Sequence, residues 1–123
     1  MMLLDDFYKI EQQTEIDPGF EYIISLNEEH SIYKAHFPGN PITPGVCIIQ
    51  ICKELMKLRT GESLFLQKIQ NVKFLSIINP TITNRIKVSF SKISSETEGY
   101  KCSISIYWET TQFTKLSIYL QHV

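Results

Sequence analysis

Several things this chain lacks narrow what it can be. It has no cluster of lysines and arginines that could track phosphates, and its formal net charge is −1, so nucleic acid is not an expected partner. No apolar stretch reaches the roughly 18 residues of a transmembrane helix. The opening Met1-Met2-Leu3-Leu4-Asp5-Asp6 has neither a basic start nor a long apolar stretch, unlike a signal peptide. The expectation is a cytoplasmic protein. Cysteines number three, an odd count that argues against a disulfide framework. Cys47, Cys52 and Cys102 are therefore expected as free thiols. No histidine pattern completes a metal site with them, so neither metal nor cofactor is implied. Repeats, linkers and low-complexity tracts are absent. The 123 residues suit one domain, 1–123, with 43% hydrophobic and 20% charged residues.

Glycine and proline are scarce, five of each, yet three prolines and two glycines fall in His36-Phe37-Pro38-Gly39-Asn40-Pro41-Ile42-Thr43-Pro44-Gly45. Proline fixes φ and glycine permits geometries denied to other residues. Such a loop is built to hold the His36 imidazole in one place.

An apolar helix follows. Thr43 is expected as its N-cap, with Pro44 at the first helical position. Its first two turns, from Val46 to Cys52, are apolar all round except for Gln50, so it should be enclosed by other structure. Gly61 is the expected stop. The rest reads as strands. Phe7 to Ile16 is a polar edge strand, followed by a turn at Asp17-Pro18-Gly19. Phe20, Tyr22, Ile24 and Leu26 alternate with polar residues, and Leu64 to Phe74 forms another strand. Ile86, Val88 and Phe90 alternate next. Ser94 to Gly99 turns the chain into Tyr100, Cys102, Ile104, Ile106 and Trp108. After Glu109-Thr110-Thr111, Leu116, Ile118 and Leu120 point inward. About six strands and one enclosed helix imply an α+β fold, an antiparallel sheet curled around that helix. Edge-to-edge dimerisation would protect the sheet's edges. His30 and His122 are expected in solvent.

The run HFPGNPITPGVCII, with Asn71-Val72-Lys73-Phe74 leading to Asn79-Pro80, resembles the signature of the hotdog-fold β-hydroxyacyl-acyl-carrier-protein dehydratases. The motif covers about fifteen residues, and the order of elements agrees over nearly the whole chain. The resemblance implies a homodimer with an acyl tunnel at the subunit interface. It also implies a substrate delivered on the phosphopantetheine arm of acyl carrier protein, and a histidine from one subunit facing a helix carboxylate from the other. Counting fourteen residues on from His36, the carboxylate position holds Gln50. Ala35 likewise stands where the family usually has glycine.

Dehydration of a 3-hydroxyacyl thioester needs a base at C2, polarisation of the carbonyl and a proton for the departing hydroxyl. His36 is the candidate base. The N–H groups of Gly45 and Val46 are the candidate carbonyl donors, and Phe37 and Pro38 the candidate pocket wall. Gln50 cannot ionise. It could orient water or the hydroxyl, or Glu54, one turn along, could supply the acid. Two further readings stay open, an acyl-thioester hydrolase of the same fold and a non-catalytic acyl-binding subunit.

Overall fold

The computed structural model describes residues 2–123. Six strands and two helices follow in the order β1 (Tyr8–Glu15), β2 (Phe20–Leu26), α1 (Ser31–Ala35), α2 (Gly45–Thr60), β3 (Leu64–Phe74), β4 (Arg85–Glu96), β5 (Gly99–Trp108) and β6 (Thr111–His122). They form one antiparallel sheet ordered β1-β2-β4-β5-β6-β3. The expected edge strand, β1, is at one edge, and β3 is at the other. This is the hotdog architecture.

Alternation explains the inner face. Phe20, Tyr22, Ile24 and Leu26 of β2 are all buried, as are Ile86, Val88 and Phe90 of β4 and Cys102, Ile104 and Ile106 of β5. They pack with Ile48, Ile51, Cys52, Leu55 and Met56 of α2 in one core. Each fully buried aliphatic side chain contributes about 1.5–3 kcal/mol. The helix is enclosed on this side only. Val46 and Leu58 are exposed, because the sheet of one chain reaches round part of the helix.

Three local expectations need correction. The first carbonyl of α2 to accept is that of Pro44, from Cys47 and Ile48 N–H at 3.0 and 3.1 Å. Pro44 is therefore the N-cap and Gly45 the first helical residue, one place later than the Thr43–Pro44 reading. Thr43 is buried and its hydroxyl is used elsewhere. Ser94 to Gly99 is not all turn. Ser94, Ser95 and Glu96 pair with Lys101, Tyr100 and Gly99, leaving Thr97 and Glu98 as the tip. Polar composition does not stop a strand whose faces meet solvent at its end. Finally, Ser31–Ala35 forms α1, too short to show a period in the sequence. His30 caps it, its Nδ1 accepting from Ile32 N–H at 3.1 Å while Nε2 meets Asp6 at 2.9 Å. It is thus built into the fold rather than solvated; His122 lies exposed, beside Glu62.

Gly61 ends α2 as expected, at φ 71°, with its N–H on the Lys57 carbonyl. Gly99 is required by close approach. A Cβ there would lie 1.8 Å from the Leu120 carbonyl oxygen and 2.8 Å from Gln121 Cα, both backbone atoms that cannot step aside. Gly99→Ala is expected to destabilise the chain by about 1–3 kcal/mol, read as a lower urea midpoint. Thr114 offers the opposite test. Its hydroxyl is fully buried with no hydrogen-bond partner among the described residues. Thr114→Val removes a desolvated polar group that costs about 1–3 kcal/mol, so the urea midpoint should hold or rise.

Candidate functional site

The proline-rich loop is held from both ends. His36 closes α1, donating its N–H to the Ile32 carbonyl at 3.0 Å and accepting from Ile42 N–H at 2.8 Å. Between them Phe37 and Asn40 exchange backbone hydrogen bonds of 3.1 and 2.9 Å, with Gly39 at φ 75° making the turn. The loop's far end is fixed by Thr43. Its N–H donates to the Ile78 carbonyl at 2.9 Å, and its hydroxyl pairs with the Tyr33 hydroxyl at 2.9 Å. One buried threonine therefore ties α1, the loop and the β3–β4 connection together just before α2 begins.

The His36 side chain is exposed, and among the described residues its ring packs edge-on to Phe37 at 5.6 Å. Phe37 and Pro38 are exposed as well and line a hollow of about 300 Å³ with Tyr33 and Lys34. Gly45 lines a different hollow of about 310 Å³ with Ile42, Ile48, Phe74 and Ile77. Val46 faces solvent beside it, 68% exposed. The single chain thus brings His36 together with Phe37, and Phe37 with Pro38, and Gly45 with the pocket at the start of α2.

Phe74 is a residue the sequence reading missed. Its ring lies over Gly45, so close that a Cβ there would be 2.8 Å from Phe74 Cζ. Glycine at this position lets the aromatic ring approach the first N–H groups of the helix. Those groups have no carbonyl four residues back within the helix and add the positive end of its dipole. The signal for Phe74 was in the sequence, in the apolar residues Phe74, Leu75, Ile77 and Ile78 crowded at a strand end.

Gln50 is half-buried, and its Nε2 donates to Glu54 Oε2 at 2.7 Å. Glu54 is buried. It also accepts from the N–H groups of Leu3 and Leu4, both at 2.8 Å, and from the Tyr8 hydroxyl at 3.1 Å. Burial, together with the charge and hydrogen bond of Glu54, pushes the Tyr8 phenol far above its ordinary range, so Tyr8 remains a donor. A carboxylate engaged by four donors is poorly placed to release a proton to substrate, which weighs against Glu54 as the acid. Burial raises all three thiols, Cys102 to about 12. Among the described residues no group of three or more His, Cys, Asp or Glu could hold a metal ion, and no helix is long and apolar enough to cross a membrane.

The model of the ApeI dehydratases matches residues 11–112, most of the chain. The chain belongs to the ApeI-like dehydratase family. Among curated relatives of this ApeI-like chain is the 3-hydroxyacyl-[acyl-carrier-protein] dehydratase FabZ of Lactiplantibacillus plantarum, 26% identical over 86% of the chain and 80% of the relative. FabZ of Wolbachia pipientis wMel is 26% identical over 94% and 87%. Among solved structures, the dehydratase heterocomplex ApeI:P from Xenorhabdus doucetiae superposes with a TM-score of 0.68 at 14% identity, covering 92% of this chain and 96% of that one. A hypothetical thioesterase with coenzyme A from Streptococcus pneumoniae gives 0.65 at 10% identity, covering 94% and 85%. At these identities the solved structures establish the fold alone.

The Tyr33–Thr43 pair makes the loop sensitive to alkali. Burial pushes Tyr33 up to about 12, opposed by its hydrogen bond to Thr43. An unfolded tyrosine ionises near 10. Because the folded value is the higher, the stability linked to the neutral phenol is complete below about pH 10 and is lost as pH rises through about 12. A difference titration at the tyrosinate absorbance, natural chain minus Tyr33→Phe, should show this late step. A step near 10 would contradict the buried pairing.

Proposed function

We propose that the chain dehydrates 3-hydroxyacyl thioesters carried on acyl carrier protein to trans-2-enoyl thioesters, in fatty-acid or related lipid or polyketide-type synthesis. It would do so in the cytoplasm, without metal or organic cofactor. The observation that carries this reading is the loop that presents His36 on one side and pins the start of α2 on the other. The thioester carbonyl accepts from the Gly45 and Val46 N–H groups, where negative charge builds as C2 loses its proton. His36 takes that proton, since imidazole accepts and returns protons near neutral pH. Gln50 hydrogen-bonds the 3-hydroxyl. His36 then delivers the proton as the C3–O bond breaks, and water leaves. Phe37 and Pro38 line the approach of the acyl chain.

On this reading His36 and Gln50 meet across two subunits, and a homodimer with the acyl tunnel at its interface is the simplest assembly. A second reading is favoured by Gln50 itself. A different subunit carrying an acid would supply what the amide cannot, and the ApeI relative of known structure is a heterocomplex. The hydrolase reading is weaker. It needs a carboxylate to activate water, and Glu54 is already engaged by four donors.

The test offers the purified chain 3-hydroxyacyl-carrier and enoyl-carrier substrates and follows their interconversion. His36→Ala should reduce kcat by on the order of 10²–10⁴. Interconversion that survives this substitution would remove His36 from the chemistry, and thiol release from a plain acyl thioester would replace the dehydratase with a hydrolase. Activity that appears only after a second, different subunit is added would establish the heteromeric form.

A further inference from the structure

The outer face of the sheet, turned away from α2, carries a hollow of its own. Successive residues of a strand point to opposite faces. Cys102 and Ile104 of β5, and Leu116 and Ile118 of β6, are buried, so Ser103 and Ser117 between them face outward. Strand register extends the pattern across four strands. Lys92, Ser103, Ser117 and Gln70 form one row. Ser94, Lys101, Tyr119 and Lys68 lie on one side of it, and Ser89, Ser105, Lys115 and Lys73 on the other. Lysines scattered along the sequence are thus gathered onto one face, around a floor of short serines. The floor forms a hollow of about 750 Å³, lined by Gln70, Asn71, Lys92, Lys101, Ser103 and Ser117, with Pro18 and Gly19 of the β1–β2 turn in its wall. Lys73 stands directly opposite Lys115, and like charges so placed repel. Among the described residues Lys68, Lys73, Lys92, Lys101 and Lys115 form no ion pair. One carboxylate joins the lining, Glu96, which accepts from the Tyr119 hydroxyl at 3.3 Å.

We propose that this outer hollow is a binding site for a small phosphorylated molecule, on the opposite face of the sheet from the pocket at Gly45. A phosphoryl group brings negative charge and several acceptor oxygens. Lys92 and Lys101 supply charge and donors for it. The Ser103 and Ser117 hydroxyls and the Gln70 and Asn71 amides can donate or accept, so they suit its remaining oxygens. An anion held here also offsets the repulsion between Lys73 and Lys115. Size favours a small ligand, because the hollow falls within the roughly 300–1,000 Å³ of small-molecule sites. Charge favours it too. Glu21, paired in register with Ser89, and Glu96 border the positive field, so an extended polyanion would run onto carboxylates. No aromatic side chain lines the hollow among the described residues, so the phosphoryl group and its oxygens, rather than a stacked base, are what it recognises.

The test is calorimetric titration of the full chain with pyrophosphate, glucose 6-phosphate and glucose, at about 150 mM salt so that loose ion attraction is screened. At least one phosphorylated probe should bind saturably, at one site per chain, and glucose should not. Pyrophosphate bound as tightly as glucose 6-phosphate assigns the hollow to the phosphoryl group alone, whereas tighter glucose 6-phosphate assigns it to a sugar phosphate. Replacing both rim lysines, Lys92→Gln with Lys101→Gln, should weaken binding by on the order of 10–100-fold. Ser117→Val keeps the charge but fills the floor, and it should weaken binding by about tenfold or more. Valine suits a strand, so an unchanged melting temperature checks that the fold is kept. Lys57→Gln, in the last turn of α2, removes a charge elsewhere and should leave the affinity within about twofold. Three results would each overturn the proposal: no saturable binding of either phosphorylated probe, glucose binding as well as its phosphate, or binding that Ser117→Val leaves unchanged. A loss on Lys57→Gln equal to that of the rim variant would show attraction by net charge only, and would overturn it as well. None of these readouts involves turnover, so they stand or fall apart from the dehydratase reading.

Discussion

Helix α2 must be kept from water, and the chain is arranged around that constraint. Seven of its sixteen residues are buried. The sheet supplies the cover by presenting one apolar face from β2, β4, β5 and β6. Where the helix begins is fixed separately, by Thr43. Its backbone bond to Ile78 and its hydroxyl pair with Tyr33 set the point at which the loop ends and the helix N–H groups are presented. Burial of the helix decides that it forms, and Thr43 decides where its charged end points. The second is worth little as stability, about 1 kcal/mol for an ordinary hydrogen bond, but it sets the geometry of the pocket.

The two edges of the sheet differ in a way that bears on assembly. Strand β1 ends the sheet with a polar, solvated run and carries the Glu15–Arg59 ion pair. At the other edge Phe65, Ile69 and Phe74 of β3, with Leu75 and Ile77 beyond it, are all at least 40% exposed. Charge and polarity on an edge discourage pairing, whereas an exposed apolar edge invites it. The incomplete cover of α2 points the same way, because Val46 emerges beside the β3 side of the pocket. A second subunit on this edge would bury apolar surface that one chain leaves wet and bring new side chains to the start of α2.

Much of this was legible in the sequence because it rests on local rules. The period-2 alternation of β2, β4 and β5 gave strands with the right inward residues, and the proline and glycine run located the loop. The Thr43–Pro44 cap was read one residue early. Capping rules reward a threonine hydroxyl that turns back onto the helix, and this hydroxyl is taken by Tyr33, ten residues away. Helix α1 escaped because five residues carry no period, although His30 caps it. Tyr33 and the pocket role of Phe74 stayed out of the reading, and Glu54 entered it only as a possible acid, for one common reason. Each matters through a partner distant in sequence or hidden by packing, and spacing along a chain does not show such partners.

Glu54 shows how far that limit reaches. From the sequence, Gln50 and Glu54 are an amide and an acid on one helical face, and the acid looks available for chemistry. In the folded chain two backbone N–H groups near the N-terminus, one tyrosine and the Gln50 amide converge on it, so the acid is a fixture. This arrangement also bears on the simplest attempt to restore an acid. Gln50→Glu alone would set two carboxylates at about the present 2.7 Å separation. Like charges that close do not both ionise, and they share a proton. Under the proposed dehydration such a variant would offer a protonated carboxylic acid, the species a departing hydroxyl requires. The feature that removes Glu54 from direct catalysis is thus the one that would prepare an acid at position 50.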